Sequence, residues 1–180
     1  MDVIDLIVDI FDRRGAASYL GESVTMSQHM LQAGTLAKAD GADDELVVGA
    51  LLHDVGHYAD EFSAYSPTDT HDKRHDVVGA RLLDGHFTPR VVNGVRLHVA
   101  AKRYLCAVEA DYFAKLSPAS VHTLELQGGP MSPAEVATFE AQLGSMDAVR
   151  IRRWDEAAKE VGVVTPDLAH FFPAIRRVRA

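Results

Sequence analysis

Apolar residues recur at helical spacing along almost the whole chain. Val3, Ile4, Ile7, Ile10 and Phe11 share one stripe of a helix predicted over residues 3–14, and Gly15 follows as a stop. A second helix is predicted over residues 24–39, closed by Asp40-Gly41. Asp43 can cap a third, which the pattern carries through the pair His53-Asp54. Gly56 and a polar stretch over residues 60–70, containing Pro67, read as a loop. A fourth helix spans residues 72–84 with His75 on it. Pro89 suits the first turn of a fifth, which carries His98 and, one turn on, Lys102. Ser117-Pro118 and Ser132-Pro133 open two short helices, stopped at Gln127-Gly128-Gly129-Pro130 and near Gly144. Residues 147–161, bearing Asp155, and 167–178 complete the set. No run alternates as a strand does, and no repeat or low-complexity linker interrupts the chain. The expectation is an all-α fold in which residues 1–180 form a single domain.

Composition narrows the function without naming it. A chain of 180 residues, 47% hydrophobic and 24% charged, can bury a core without disulfides or structural metals. A formal net charge of -8 argues against a nucleic-acid binder, which usually carries a basic face. Cys106 is the only cysteine, so a disulfide framework and a thiolate metal site are both excluded, and Cys106 reads as a small core residue. No apolar run reaches membrane-spanning length. The first residues lack the positive segment of a signal peptide. A cytoplasmic protein is expected.

The pair His53-Asp54 changes the picture. A histidine and an aspartate side by side in the run ELVVGALLHDVGHY are costly to bury unless a charge compensates both. A metal ion does so, because imidazole offers a neutral nitrogen and the carboxylate a negative charge. Asp54 has two oxygens and could bridge two ions. His29, His75 and His98 recur about one helix apart, the spacing with which antiparallel helices bring ligands to one level of a bundle. Asp155 lies far downstream, and Arg152, Arg153 and Lys159 around it suit an ordinary surface acid equally well. His86, His122 and His170 take the commoner reading of unassigned helix histidines, and His71 is expected to be exposed in its loop.

The order histidine, His-Asp, distant Asp resembles the HD-domain superfamily, most of whose members are metal-dependent phosphohydrolases. Within it the chain resembles, along nearly its whole length, the mixed-valent diiron oxygenases that cleave the carbon–phosphorus bond of 2-amino-1-hydroxyethylphosphonate and related compounds. The matching stretches are Tyr19-Leu20-Gly21-Glu22, Gln28-His29, Leu52-His53-Asp54-Val55-Gly56-His57-Tyr58, His98-Val99-Ala100-Ala101-Lys102-Arg103-Tyr104-Leu105, Gln127-Gly128-Gly129-Pro130-Met131 and Trp154-Asp155-Glu156.

The resemblance implies one iron held by His29, His53, Asp54 and Asp155, and a second held by Asp54, His75 and His98, with Asp54 bridging. The ligand types agree with iron but, taken alone, do not separate it from Mn, Zn or Ni. The resemblance further implies that His57, Lys102 and Ser120 hold the phosphonate. It makes Tyr19 and Glu22 part of a lid, the tyrosine on the open iron position and Glu22 facing the substrate's ammonium. For each, the residues alone offer a plainer role: packing for Tyr19, a helix-start acid for Glu22, orientation of a ligand for His57, and a surface or helix position for Lys102 and Ser120. The implied reaction consumes O2 and a small organophosphonate with a primary or trimethylated amine, and needs no organic cofactor. It yields phosphate and a carboxylate such as glycine. A phosphohydrolase acting on a nucleotide or phosphomonoester, and a non-catalytic metal-binding module, are the competing readings. The 19–22 stretch and the 127–131 turn favour the oxygenase.

Overall fold

The computed structural model describes residues 3–14, 23–58 and 68–180. Helix α1 (Val3–Asp9) runs into a π-helical turn (Ile10–Arg14). Thr25 and Gln28 close a reciprocal capping box at the start of α2 (Met26–Ala39). The Asp43 carboxylate accepts from the Leu46 N–H to start α3 (Asp44–Leu52), and a 3-10 turn (Val55–Tyr58) follows. Then come α4 (His75–Leu83), the long α5 (Pro89–Val108), a short 3-10 turn (Phe113–Lys115), α6 (Pro118–Leu126) and α7 (Pro133–Glu140). The chain ends with α8 (Ser145–Ala157), a 3-10 turn (Leu168–Phe171) and α9 (Phe172–Arg177). Among the described residues no strand forms beyond an isolated bridge between Phe87 and Arg179, so the fold is all-α as expected. No helix among them is long and apolar enough to cross a membrane.

Helix α5 is the axis of the packing. It lies against α3, α4 and α8, while α2 covers α3 and α8. Small residues set the closest approaches. A Cβ on Gly49 of α3 would come within 2.9 Å of Ile151 Cδ1, and one on Gly94 of α5 within 2.5 Å, so three helices meet around that one side chain. The larger apolar cluster joins α1 to α4, the first half of α5, α8 and α9, with Met30, Leu51, Leu52 and Ile151 at its centre. A second gathers Leu105, Leu124 and Phe139 from α5, α6 and α7 under Ala148 and Val149 of α8. Cys106 is half-buried at its edge rather than inside it.

Of the boundaries that differ from the sequence pattern, two serve the site. Helix α3 stops at Leu52, so His53-Asp54 stands just past its end and not within it. Helix α8 stops at Ala157, short of residue 161, because side chains of α2 take over the backbone there. His29 Nδ1 bonds the Ala158 carbonyl at 2.9 Å. Gln32 bonds Glu160 on both sides, accepting from its N–H at 3.1 Å and donating to its carbonyl at 2.8 Å.

Candidate metal centre

Five different elements deliver the six ligand candidates. His29 comes from α2, His53 and Asp54 from the turn after α3, His75 from the first residue of α4, His98 from the middle of α5, and Asp155 from α8. Backbone carbonyls orient the rings: Nδ1 meets Ala158 O at 2.9 Å for His29, Ala50 O at 2.8 Å for His53 and Val95 O at 2.6 Å for His98. Those carbonyls can only accept, so each Nδ1 carries the proton and each Nε2 presents a bare lone pair. Yet His29 Nε2 and His53 Nε2 stand 3.0 Å apart, and His75 Nε2 and His98 Nε2 also 3.0 Å. Two imidazole nitrogens this close require positive charge between them, whether a proton or a metal ion.

Asp54 divides its oxygens between the two pairs. Oδ2 lies 3.5 Å from His29 Nε2 and 3.3 Å from His53 Nε2. Oδ1 lies 3.4 Å from His75 Nε2 and 3.5 Å from His98 Nε2. Oδ2 is buried and receives no hydrogen bond from the described residues, which is unusual for a carboxylate only 2% exposed. Asp155 Oδ1 adds a second carboxylate to the first pair, 3.3 Å from His29 Nε2 and 3.6 Å from His53 Nε2. At 1% exposure Asp155 is not the surface acid that its neighbours suggested. Burial alone would depress the His53 imidazole, but the Asp54 and Asp155 carboxylates raise it to about 10. Both carboxyls are held well below their ordinary value, against burial, by His53 and, for Asp155, by Arg152. The locus therefore favours positive charge. The sets His29–His53–Asp54 and Asp54–His75–His98 could each hold a metal ion, and together could form a dinuclear site.

A pocket opens beside these groups, lined by His57, Lys102, Ser120, Thr123, Gln127 and Arg152. Residues 69 and 71–73 line it as well. Lys102, on the face of α5 that carries His98, is 4% exposed and donates to Thr123 Oγ1 at 2.8 Å. Burial, reinforced by Arg152, depresses its ammonium to about 7. His57 stacks on His75 with centroids 4.1 Å apart, and burial holds its imidazole down to about 3, so it stays neutral near pH 7. A cation, a neutral imidazole and hydroxyls next to a metal locus suit a tetrahedral oxyanion.

The HD domain family matches residues 26–136, which span α2 to the first half of α7 and stop before Asp155. The chain is 48% identical over 177 residues to the glycine-betaine-forming 1-hydroxy-2-(trimethylamino)ethylphosphonate dioxygenase of Leisingera caerulea, covering 98% of this chain and 90% of the relative. It is 46% identical over 155 residues to the hydroxymethylphosphonate dioxygenase of Gimesia maris, covering 86% of this chain and 77% of that protein. The chain belongs to the HD-domain phosphonate dioxygenases.

For a member of this family, the ligand candidates His29, His53, Asp54, His75, His98 and Asp155 all converge, and the substrate candidates His57, Lys102 and Ser120 line the pocket next to them. Tyr19 and Glu22 lie outside the described residues, as does most of the 59–70 loop. His71 is exposed as expected but is among the residues that line the pocket, and His170 instead accepts from Lys38 at 2.7 Å. Arg152 was not singled out from the sequence. It is 4% exposed, donates to the Tyr112 hydroxyl at 2.9 Å and pairs with Asp155 Oδ2 and Glu156 Oε2. Its spacing of three and four residues from those acids on one helix was the available signal. Thr123 was missed too, although it follows Ser120 by one helical turn.

Proposed function

We propose that this protein is an iron- and O2-dependent oxygenase acting on a 2-amino-1-hydroxyethylphosphonate-type substrate. It would cleave the C–P bond and release phosphate with glycine or a glycine derivative. The observation that carries this reading is the division of Asp54, one oxygen toward each histidine pair, which is what a carboxylate bridging two ions requires. His29, His53, Asp54 and Asp155 would hold one iron; Asp54, His75 and His98 would hold the other. Imidazole and carboxylate without thiolate suit iron, and the relatives' names supply the reaction class.

Iron bound there supplies the one-electron chemistry that lets O2 oxidise the carbon bearing phosphorus. The overall balance is simple: aminohydroxyethylphosphonate plus O2 contains the atoms of glycine plus phosphate. The chain's own residues do the rest. Lys102 meets the phosphonate with its ammonium, Ser120 donates a hydroxyl hydrogen, and His57, kept neutral by burial, donates an N–H without adding charge. Tyr19 and Glu22, on the resemblance, cover the site and face the ammonium. The substrates named for the two relatives share a hydroxyl and a phosphonate on one carbon, so that unit is the part this pocket reads. The trimethylammonium form is the first substrate to try, given 48% identity over almost the full chain.

The test offers iron-loaded protein both amine forms, with and without O2. Phosphate release that requires iron and O2, with one oxygen of labelled O2 in the carboxylate, is the expected outcome. Equal turnover under strict anaerobiosis, or activity on ordinary phosphate esters with Mg or Mn alone, would give the site to a hydrolase instead.

A further inference from the structure

Behind the anion-facing wall of the pocket runs a chain of ion pairs to which the reading above gives no task. Lys159, just past the end of α8, donates from Nζ to Ser120 Oγ at 3.0 Å and to Glu156 Oε1 at 3.0 Å. The other Glu156 oxygen accepts from Arg152. Arg152 holds Asp155 Oδ2 and the Tyr112 hydroxyl. One carboxylate thus braces two cations: one reaches a metal-ligand candidate, the other a serine in the pocket wall. An exposed Lys–Glu pair would carry little meaning. Here both side chains are mostly covered, at 13% and 15% exposure.

The chemistry of the serine decides what this brace does. A hydroxyl has a single hydrogen to donate and lone pairs to accept with, whereas an ammonium can only donate. In the contact with Lys159, Ser120 Oγ is therefore the acceptor, and its hydrogen must point elsewhere. Ser120 donates to no acceptor among the described residues, is 7% exposed, and lines the pocket beside Lys102 and Thr123. Thr123 shows the contrast. Its hydroxyl donates to the Ser120 carbonyl at 3.1 Å while its oxygen accepts from Lys102 at 2.8 Å, so its donor is already engaged. Of the two hydroxyls on this face of α6, Ser120 is the one with a hydrogen for the pocket.

We propose that Lys159 is a positioning residue for anion recognition: braced by Glu156, it occupies the acceptor side of Ser120 Oγ and leaves that hydroxyl to donate to the phosphonate. The proposal rests on reading the pocket as a phosphonate site. Without Lys159, the serine can turn to accept from another donor, and the pocket loses a fixed hydrogen bond rather than a charge in direct contact with substrate.

The experiment is a double-mutant cycle on metal-loaded protein, read in two ways: calorimetric binding of inorganic phosphate, and KM against kcat with the hydroxyphosphonate. Lys159→Met and Ser120→Ala should each weaken phosphate binding about tenfold, the scale of one hydrogen bond to a charged group. The catalytic loss should appear mainly in KM, with metal content unchanged. The double variant should bind no more weakly than Ser120→Ala alone, because Lys159 acts through that hydroxyl. Lys159→Gln, expected to move the same way, serves where the methionine variant does not fold. Unchanged phosphate affinity on losing Lys159, or losses that multiply in the double variant, would overturn the proposal. Phosphate binding does not depend on C–P cleavage. A wild-type protein that binds phosphate but releases none from a hydroxyphosphonate would sink the function reading, and the coupling of Lys159 to Ser120 would still decide this one.

Discussion

At Lys102 a cation is buried almost completely and, among the described residues, donates to a neutral partner, Thr123. Burial places its ammonium at about 7, so the charged form is present below that pH and is lost as pH rises through it. Because kcat/KM reports the free enzyme, it should fall as pH rises above about 7. Lys102→Arg keeps its charge throughout that range and should remove the high-pH limb, which a pH profile of the two proteins would check. Lys102→Ala should raise KM by roughly 10- to 100-fold with metal content intact, since a charge-assisted contact is lost and no ligand is touched. Depressed iron content at unchanged KM would make Lys102 structural. Sequence legibility differs sharply among such residues. His53-Asp54 stood out because two costly polar groups interrupt an apolar run, a clash visible without coordinates. Thr123 and Lys159 did not, since their partners Lys102 and Ser120 come from other helices and only tertiary packing reveals them, and Arg152 offered only its spacing to Asp155 and Glu156.

Among the elements, the short 3-10 turn after α3 has the tightest geometric demand. Gly56 packs against the start of α4 so closely that a Cβ there would stand 1.9 Å from the His75 carbonyl oxygen and 2.7 Å from the Gly79 nitrogen. That approach holds His75 against Asp54 and stacks it on His57. The obstruction is backbone and cannot swing aside. Gly56→Ala should therefore push α4 away, cost about 3 kcal/mol, and leave the protein with the metal of the His29–His53 side alone. Metal analysis and a thermal melt would check it, and full metal content in this variant would refute the account. Gly41→Ala is the matched control: its φ of +72° carries a backbone penalty, but nothing stands near the new methyl. It should cost about 1 kcal/mol and no metal. The helix starts at Asp43, Ser117 and Ser132 were legible because capping is local chemistry, whereas the capping box at Thr25 was read as helix interior. The end of α8 was not legible, because Gln32 and His29 stop it from across the bundle.

Over the whole molecule, the candidate ligands tie α2, the end of α3, α4, α5 and α8 to one point, whereas α7 contributes none. Stripped of cations, that point keeps two buried carboxylates and four imidazoles crowded together, so bound metals should count as folding energy and not only as chemistry. Ions bound at a hundred times their dissociation constant stabilise by about 2.7 kcal/mol each. For a chain of this size that is roughly 5–10 °C of Tm per ion. Chelation of both ions should therefore lower Tm by roughly 10–20 °C, and reloading with iron, or with redox-silent Mn or Zn, should restore it, because stability needs charge and geometry rather than electrons. The loss should also be uneven. Amides of α2, α8 and the middle of α5 around His98 should exchange faster in the stripped protein. Those of α7, which packs on Leu105 and Leu124 in the second cluster, should change least. Uniform acceleration across all helices would mean that the metals act through global stability alone. Unchanged exchange near His29, His53 and Asp155 would mean that these residues hold no metal.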